Sequence, residues 1–262
     1  MLTLRSATAS DLDFYKRAFV DLAVDDPMPS EEKWARELEP HTLIAELEGK
    51  PIAYVFSQAF GNVGYLKQIV TVPEARRRGV GRYLMVATAE KFRALGCSEW
   101  VLNVKADNIA AKALYSQMGM TMSYPSCVMQ LEWQTALKFP TSELIVIEPQ
   151  PSDDHAIEQS FKLIDGLIHE RRLLGRVLRT VVDQDEPVGL AVFDPTFPGS
   201  FPFRAKTIAI AGSLLRSLYE MRRPEHALIN LVVERDTALV DSLIAHGARE
   251  RIRLENWRGS LA

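Results

Sequence analysis

Ile69-Val70-Thr71-Val72-Pro73-Glu74-Ala75-Arg76-Arg77-Arg78-Gly79-Val80-Gly81 reads as a β-strand, a basic glycine-containing turn and the start of a helix. Ile69 to Val72 is β-branched throughout, which favours a strand. Pro73 has no N–H to give and ends the ladder. From Val80 the period changes: Val80, Leu84 and Ala87 share a helical stripe, Met85, Phe92 and Leu95 widen it, and Gly96 stands where a helix ends. The turn therefore lies at a helix N-terminus, where backbone N–H groups have no partner in the helix itself. Gly79 and Gly81 let an anion come close to that backbone, and the helix end with Arg76, Arg77 and Arg78 supplies positive potential. The stretch predicts a cradle for phosphate or pyrophosphate.

Working outward, Leu2 and Leu4 alternate as a short strand, and Thr8 to Asp11 caps a helix with Leu12, Tyr15, Phe19 and Leu22 on one face. Asp25 to Ser30 is a loop, and a short helix carries Trp34 and Leu38. His41 to Glu48 and Pro51 to Gln58 form a hairpin around Glu48-Gly49-Lys50, and Gly64 to Val72 is the strand entering the cradle. Glu99 to Lys105 is a further strand. Asn108 caps a helix with Ala111, Leu114, Tyr115 and Met118 on one face, and Gly119 ends it. Two closing strands, 121–123 and 127–133, are expected on either side of Pro125.

The second half echoes the first. Residues 44–56 align with 180–192 at an offset of 136, and 108–119 with 236–247 at an offset of 128, so the second copy is eight residues shorter between the two blocks. The loss falls on the basic turn: Thr207-Ile208-Ala209-Ile210 runs into Ala211-Gly212-Ser213 with no arginine run and no G-x-G, and Leu243 stands where Tyr115 stands. The expected organisation is a first domain over 1–135, a linker over 136–143 and a degenerate second copy over 144–262 that helps wall the acceptor site.

The net charge of −3 over 262 residues leaves no basic surplus for nucleic acid. No apolar run is long enough to span a membrane, and the first residues lack a signal peptide's apolar block. Cys97 and Cys127 form no metal-ligand spacing, and five scattered histidines add none. The expectation is a cytoplasmic protein without metal, monomeric or homodimeric.

Arg76-x-x-Gly79-x-Gly81 after a strand, with Asn108 and Ala111-x-x-Leu114-Tyr115-x-x-x-Gly119-Met120 downstream, resembles the GNAT superfamily of acyl-CoA-dependent N-acyltransferases. The likeness covers about residues 1–135 and, in degraded form, the second half. It implies an α/β fold of two GNAT-like domains, each a mixed, mostly antiparallel twisted sheet with helices on both faces. It implies acetyl-CoA as cosubstrate and a small-molecule or peptide amine as acceptor. By resemblance, the backbones of Val70, Thr71 and Val72 pair with the pantetheine arm between splayed strands. Arg77, Arg78, Gly79, Val80, Gly81 and Arg82 hold the pyrophosphate, and Asn103 and Asn108 contact the cofactor. Tyr115 protonates the leaving thiolate, and the N–H of Val70 stabilises the oxyanion.

The strand before the turn, Tyr65 to Val70, carries no carboxylate, and Gln68 cannot act as a base. A water chain, Asp25, Asp26, Glu31 and Glu32 stay open for that role. The missing carboxylate also motivates an acyl-CoA sensor with little turnover as the alternative. A P-loop is disfavoured because the turn lacks its lysine and Ser/Thr.

Overall fold

A computed structural model describes residues 1–24 and 27–261; Asp25 and Asp26, two of the candidate bases, lie outside them. The chain divides into two units, Met1–Met122 with Trp257–Ala262, and Ser123–Asn256.

The first unit runs β1 (Leu2–Ser6), α1 (Leu12–Phe19), the short α2 (Glu31–Lys33), β2 (Thr42–Leu47), β3 (Lys50–Phe60), β4 (Val63–Thr71), α3 (Val80–Ala94), β5 (Glu99–Lys105) and α4 (Ile109–Gln117). Its strands follow the order β1-β2-β3-β4-β5. The first four are antiparallel neighbours, and β5 runs parallel to β4. On one face Phe14, Tyr15 and Phe19 of α1 pack with Trp34, Tyr54 and Val70. On the other, Val80, Leu84, Met85 and Phe92 of α3 pack with Leu66, Trp100, Leu102 and Tyr115. α3 sits close on β4: a Cβ at Gly64 would lie 2.4 Å from the Phe92 ring, so only glycine admits the helix there. That contact fixes the C-terminal end of α3 against the start of β4.

The second unit runs β6 (Thr121–Glu132, from Ser123 on), α5 (Trp133–Ala136), β7 (Val146–Ile147), α6 (Asp154–Phe161), α7 (Leu167–Leu173), β8 (Val177–Asp183), β9 (Glu186–Asp194), β10 (Gly199–Ala205), α8 (Ile208–Tyr219), β11 (Leu228–Glu234), α9 (Thr237–Ala245) and β12 (Arg249–Ser260, to Asn256). The repeat is visible element by element. β3 and β9 begin at Lys50 and Glu186, at the first offset. α3, α4 and β6 begin at Val80, Ile109 and Thr121, and α8, α9 and β12 at Ile208, Thr237 and Arg249, at the second. Both faces of this unit are also covered, by α8 and α9 on one and by α6 and α7 on the other.

The halves read from the sequence, 1–135 and 144–262, follow the repeats and not the compact units. The closing strand of the first copy, β6, pairs with β11 of the second from Ser126↔Glu234 to Glu132↔Leu228. The closing strand of the second copy, β12, delivers its last residues to the first unit beside β5. Residues 136–143 are no free linker either. Phe139 is buried in the core of the second unit, and Ser142 N–H donates to Ser213 Oγ at 2.9 Å. The two expected closing strands are one: β6 passes through Pro125, whose carbonyl accepts from Arg235 N–H at 3.1 Å. Pro125 faces Arg235 one step beyond the first β6–β11 pair, and its missing N–H removes the bond that would return to the Arg235 carbonyl, so the β6–β11 ladder ends there.

Candidate active site

β4 and β5 pair from Val63↔Glu99 to Leu66↔Leu102 and not beyond, so Lys67–Thr71 and Asn103–Lys105 border an open V. A bulge at the start of the V contributes to it. Phe56 faces Gln68 and Ser57 faces Leu66, which leaves Lys67 as the extra residue on β4 and bends the strand. Lys67 lies over the rings of Phe56, Phe60 and Tyr65 and donates to Gln58 Oε1.

The phase of the ladder decides which backbone groups face the V. Across an antiparallel pair, residues bonding to the partner alternate with residues turned away. Val72 N–H donates to the Ile52 carbonyl at 3.0 Å, and Val70 faces Tyr54 two residues earlier. Val70 and Val72 thus spend their groups on β3, contrary to the expectation that they serve the V; Ile69 and Thr71 are the residues turned into it. The Thr71 carbonyl accepts from Arg76 Nε at 2.9 Å. Arg76 also pairs with Asp21 at 2.9 Å, so this arginine shapes the turn.

At the mouth of the V the turn is built as predicted from Gly79 onward. Arg77 and Gly79 are both left-handed, at φ of 61° and 81°. A left-handed non-glycine residue is a strained conformation that persists only where its surroundings enforce it. The first bond within α3 runs from Tyr83 N–H to the Gly79 carbonyl at 2.9 Å, so the N–H groups of Val80, Gly81 and Arg82 precede the helical ladder. Arg77, Arg78 and Arg82 are exposed around them. At Gly81 a Cβ would come 3.3 Å from Leu114 Cδ2, which sets α4 directly against the cradle.

Tyr115 is the only buried residue of α4. Burial pushes its hydroxyl up to about 12, so it stays protonated at neutral pH. Its ring meets the Trp257 ring edge-on at 6.4 Å. Asn108 caps α4, its Oδ1 accepting from Ala111 N–H at 3.1 Å. Asn103 donates from Nδ2 to the Tyr65 hydroxyl at 3.0 Å. These two asparagines therefore already serve structural bonds.

On the α1 face, Tyr15 and Tyr54 both donate to Gln68 Oε1, at 2.6 and 3.2 Å, and their rings lie 4.6 Å apart. Burial, then Tyr15 and Asp21, hold Tyr54 far above the ordinary tyrosine range. Glu31 and Glu32 are exposed on α2. The Tyr15–Tyr54–Gln68 cluster and Trp257 were missed in the sequence. The first had a signal in Gln68, a polar residue directly before the apolar pair Ile69-Val70, whereas Trp257 had none.

The second unit is built differently at each equivalent point. Eight residues, 72–79, join β4 to α3, but only 206 and 207 join β10 to α8. β10 and β11 pair at Gly199↔Asn230 and Ser200↔Leu231. Beyond that a buried ion pair, Arg204 Nη2 to Glu234 Oε2 at 2.5 Å, crosses from one strand to the other. Among the described residues, His155, Glu158 and Asp165 form the one group that could hold a metal. Both Glu158 oxygens there accept backbone N–H groups, from Gly166 and Ile168 at 2.9 and 2.7 Å, as a cap for α7.

Residues 11–120 match the family described as the acetyltransferase (GNAT) family. Over 77 residues the chain is 35% identical to aminoglycoside N(6')-acetyltransferase type 1 of Klebsiella aerogenes, covering 29% of this chain and 49% of that protein. The chain thus matches about half the length of that curated relative. Its fold resembles that of a Pyrococcus horikoshii protein provisionally assigned as an acetyltransferase, with TM-score 0.75 and 14% identity over 99% of this chain and 89% of the other. It also resembles a tandem GNAT protein from the clavulanic acid biosynthesis pathway, with TM-score 0.63 and 16% identity over 100% and 99% of the two chains. These structural likenesses show a fold and extend across both repeats.

Proposed function

We propose, for a chain whose residues 11–120 form a GNAT acetyltransferase domain, that the first unit transfers an acetyl group from acetyl-CoA to a primary amine, and that the second unit is a scaffold without a cofactor site. The observation that carries this reading is the left-handed glycine turn that ends the V between β4 and β5, whereas in the second repeat residues 206 and 207 alone join β10 to α8.

The residues fit the cosubstrate. The N–H groups of Val80, Gly81 and Arg82, with Arg77 and Arg78, suit a pyrophosphate. The backbone of Ile69 and Thr71 suits a pantetheine arm lying as an added strand. Acetyl-CoA supplies the acetyl group as a thioester. The N–H of Ile69 polarises the carbonyl oxygen and holds the developing negative charge. This role was expected of Val70, but Ile69 is the residue turned into the V. The neutral amine attacks the thioester carbonyl, the C–S bond breaks as Tyr115 donates its proton to the departing sulfur, and the proton shed by the acylated nitrogen passes through solvent to reprotonate Tyr115. With no carboxylate on β4, the amine arrives neutral, and the rate follows the amine's own titration.

The similarity to an aminoglycoside acetyltransferase and the exposed acidic residues Glu31 and Glu32 favour a polyamine-like cationic acceptor. The test is incubation of the full chain with acetyl-CoA and a panel of aminoglycosides, polyamines, amino acids and peptides, following free thiol. Amine-dependent thiol release is expected. The hydrogen-bonded Gln68 in place of a carboxylate favours a second reading, an acyl-CoA sensor. Tight acetyl-CoA binding with no thiol released by any amine would support it and overturn the first.

A further inference from the structure

We propose that Trp257, carried by the closing strand of the second repeat, is a positioning residue for Tyr115 in the first unit. The inference rests on the acetyltransferase reading for what Tyr115 does, but not for the contact itself.

Three observations carry it. First, the Trp257 ring stands 6.4 Å from that of Tyr115 at 62°, and both are buried in one core cluster with Trp100 and Met120. An edge-to-face pair constrains ring orientation as well as burying area. A tyrosine whose hydroxyl must reach one atom needs its ring held.

Second, the strand that brings Trp257 is tied down along its length. Arg258 Nη1 donates to both Glu99 oxygens, at 3.1 and 2.9 Å. A Cβ at Gly259 would lie 2.6 Å from Trp100 Nε1 and 2.9 Å from Met120 Cγ. Leu261 N–H donates to the Ser98 carbonyl, and the Leu261 carbonyl accepts from Arg93 Nε, each at 2.8 Å. The anchoring residues Arg93, Ser98 and Glu99 run from the last turn of α3 to the first residue of β5, one of the two strands that border the V.

Third, the repeat supplies an internal comparison. At the 128-residue offset, Trp257 corresponds to Met129 and Tyr115 to Leu243. Met129 and Leu243 share the core of the second unit, so both closing strands deliver this position to the core that holds the α4-type helix of the other copy. The exchange is common to both units. The aromatic pair occurs where the cradle is kept, and Met129 and Leu243 stand at these positions where it is lost.

The test uses the full-length chain with acetyl-CoA and whichever panel amine gives the fastest thiol release. Trp257→Ala is expected to lower kcat about a hundredfold, as for a catalytic group displaced by roughly an ångström. KM for acetyl-CoA should stay within about twofold, since the cradle is untouched. Trp257→Phe, which keeps an aromatic edge, should restore most of the rate; Trp257→Leu, apolar but without that edge, should not. In a Tyr115→Phe background Trp257→Leu should lower kcat no further. Equal losses from Trp257→Leu in both backgrounds would overturn the proposal, because a merely structural role does not depend on the Tyr115 hydroxyl.

A second readout needs no activity. In protein labelled at the tyrosine Cζ carbon, the Tyr115 signal should shift or broaden in Trp257→Leu and return in Trp257→Phe. A Tyr115 signal indifferent to Trp257 overturns the proposal even if the wild-type chain turns nothing over, the result that instead refutes the acetyltransferase reading.

Discussion

Replacing Gly79 by alanine separates backbone geometry from packing at the cradle. Gly79 sits at φ +81°, and an added Cβ there meets nothing within 4 Å, so no clash opposes the substitution. The cost is conformational: a left-handed non-glycine residue costs about 1–2 kcal/mol. The stiffer unfolded chain returns about 0.4–1 kcal/mol. The net is a destabilisation of up to about 1.6 kcal/mol, or at most roughly 6 °C in Tm for a chain of this size.

If the turn relaxes by rotating the Gly79 peptide, at least one N–H leaves the phosphate. A charge-assisted bond of about 1.5–3 kcal/mol is then lost, which weakens acetyl-CoA binding about tenfold to a hundredfold. Gly81→Ala is the control. Its Cβ meets only the tip of Leu114 at 3.3 Å, and alanine gains about 1 kcal/mol over glycine within a helix. Stability without ligand should then be unchanged or raised. The assays are thermal melts followed by circular dichroism without ligand and calorimetric titration with acetyl-CoA. A Gly79→Ala chain that melts at or above wild type and binds acetyl-CoA equally well refutes the reasoning.

Tyr115→Phe should lower kcat by about 10²–10⁴-fold while acetyl-CoA binding is kept, seen as a fall in thiol release without a change in titrated Kd. Burial raises Tyr115 to about 12, above an unfolded value near 10. Its contribution to stability is therefore complete below about pH 10 and lost as pH rises through 12, and Tyr115→Phe should flatten that alkaline decline in a melt series. Asp11 accepts two bonds from Arg5, at 2.7 and 2.8 Å, and others from Thr8, and Arg5 holds its carboxyl below the usual range. Asp11→Ala should cost about 2–4 kcal/mol near neutral pH and less in acid, because the carboxylate's contribution is present above its unfolded pKa and vanishes as pH falls through the folded one. Arg204→Ala strands Glu234 in the second unit and should destabilise the chain by about 3–5 kcal/mol in denaturant titration, without creating a second acetyl-CoA site.

The cradle was legible because three local rules agree on one stretch: β-branched residues up to Val72, a proline stop, and helical spacing from Val80. The register of the repeat was legible for the same reason, since Asn108 and Asp236 each cap a helix with the same spacing behind it. What escaped depends on partners. Whether Val70 or Ile69 faces the V is a matter of ladder phase, set by which β3 residue lies opposite, and no property of either side chain reports it. The exchange of β6 and β12 is hidden because the two copies offer equivalent edges to equivalent strands. Reading 136–143 as a linker passes over its apolar members: Phe139 and the tight fit of Gly212 against the Pro140 carbonyl, 2.1 Å from a built Cβ, place the stretch in the core of the second unit. Arg76 could be read as a phosphate ligand until Asp21 and Thr71 were seen to occupy it.

The most direct measurement is the stoichiometry of acetyl-CoA binding to the full-length chain by isothermal titration calorimetry. One molecule per chain is expected, with affinity reduced when Arg77 and Arg78 are both replaced by alanine. Two molecules per chain, or none, would contradict an account in which one repeat keeps the cradle and the other only folds.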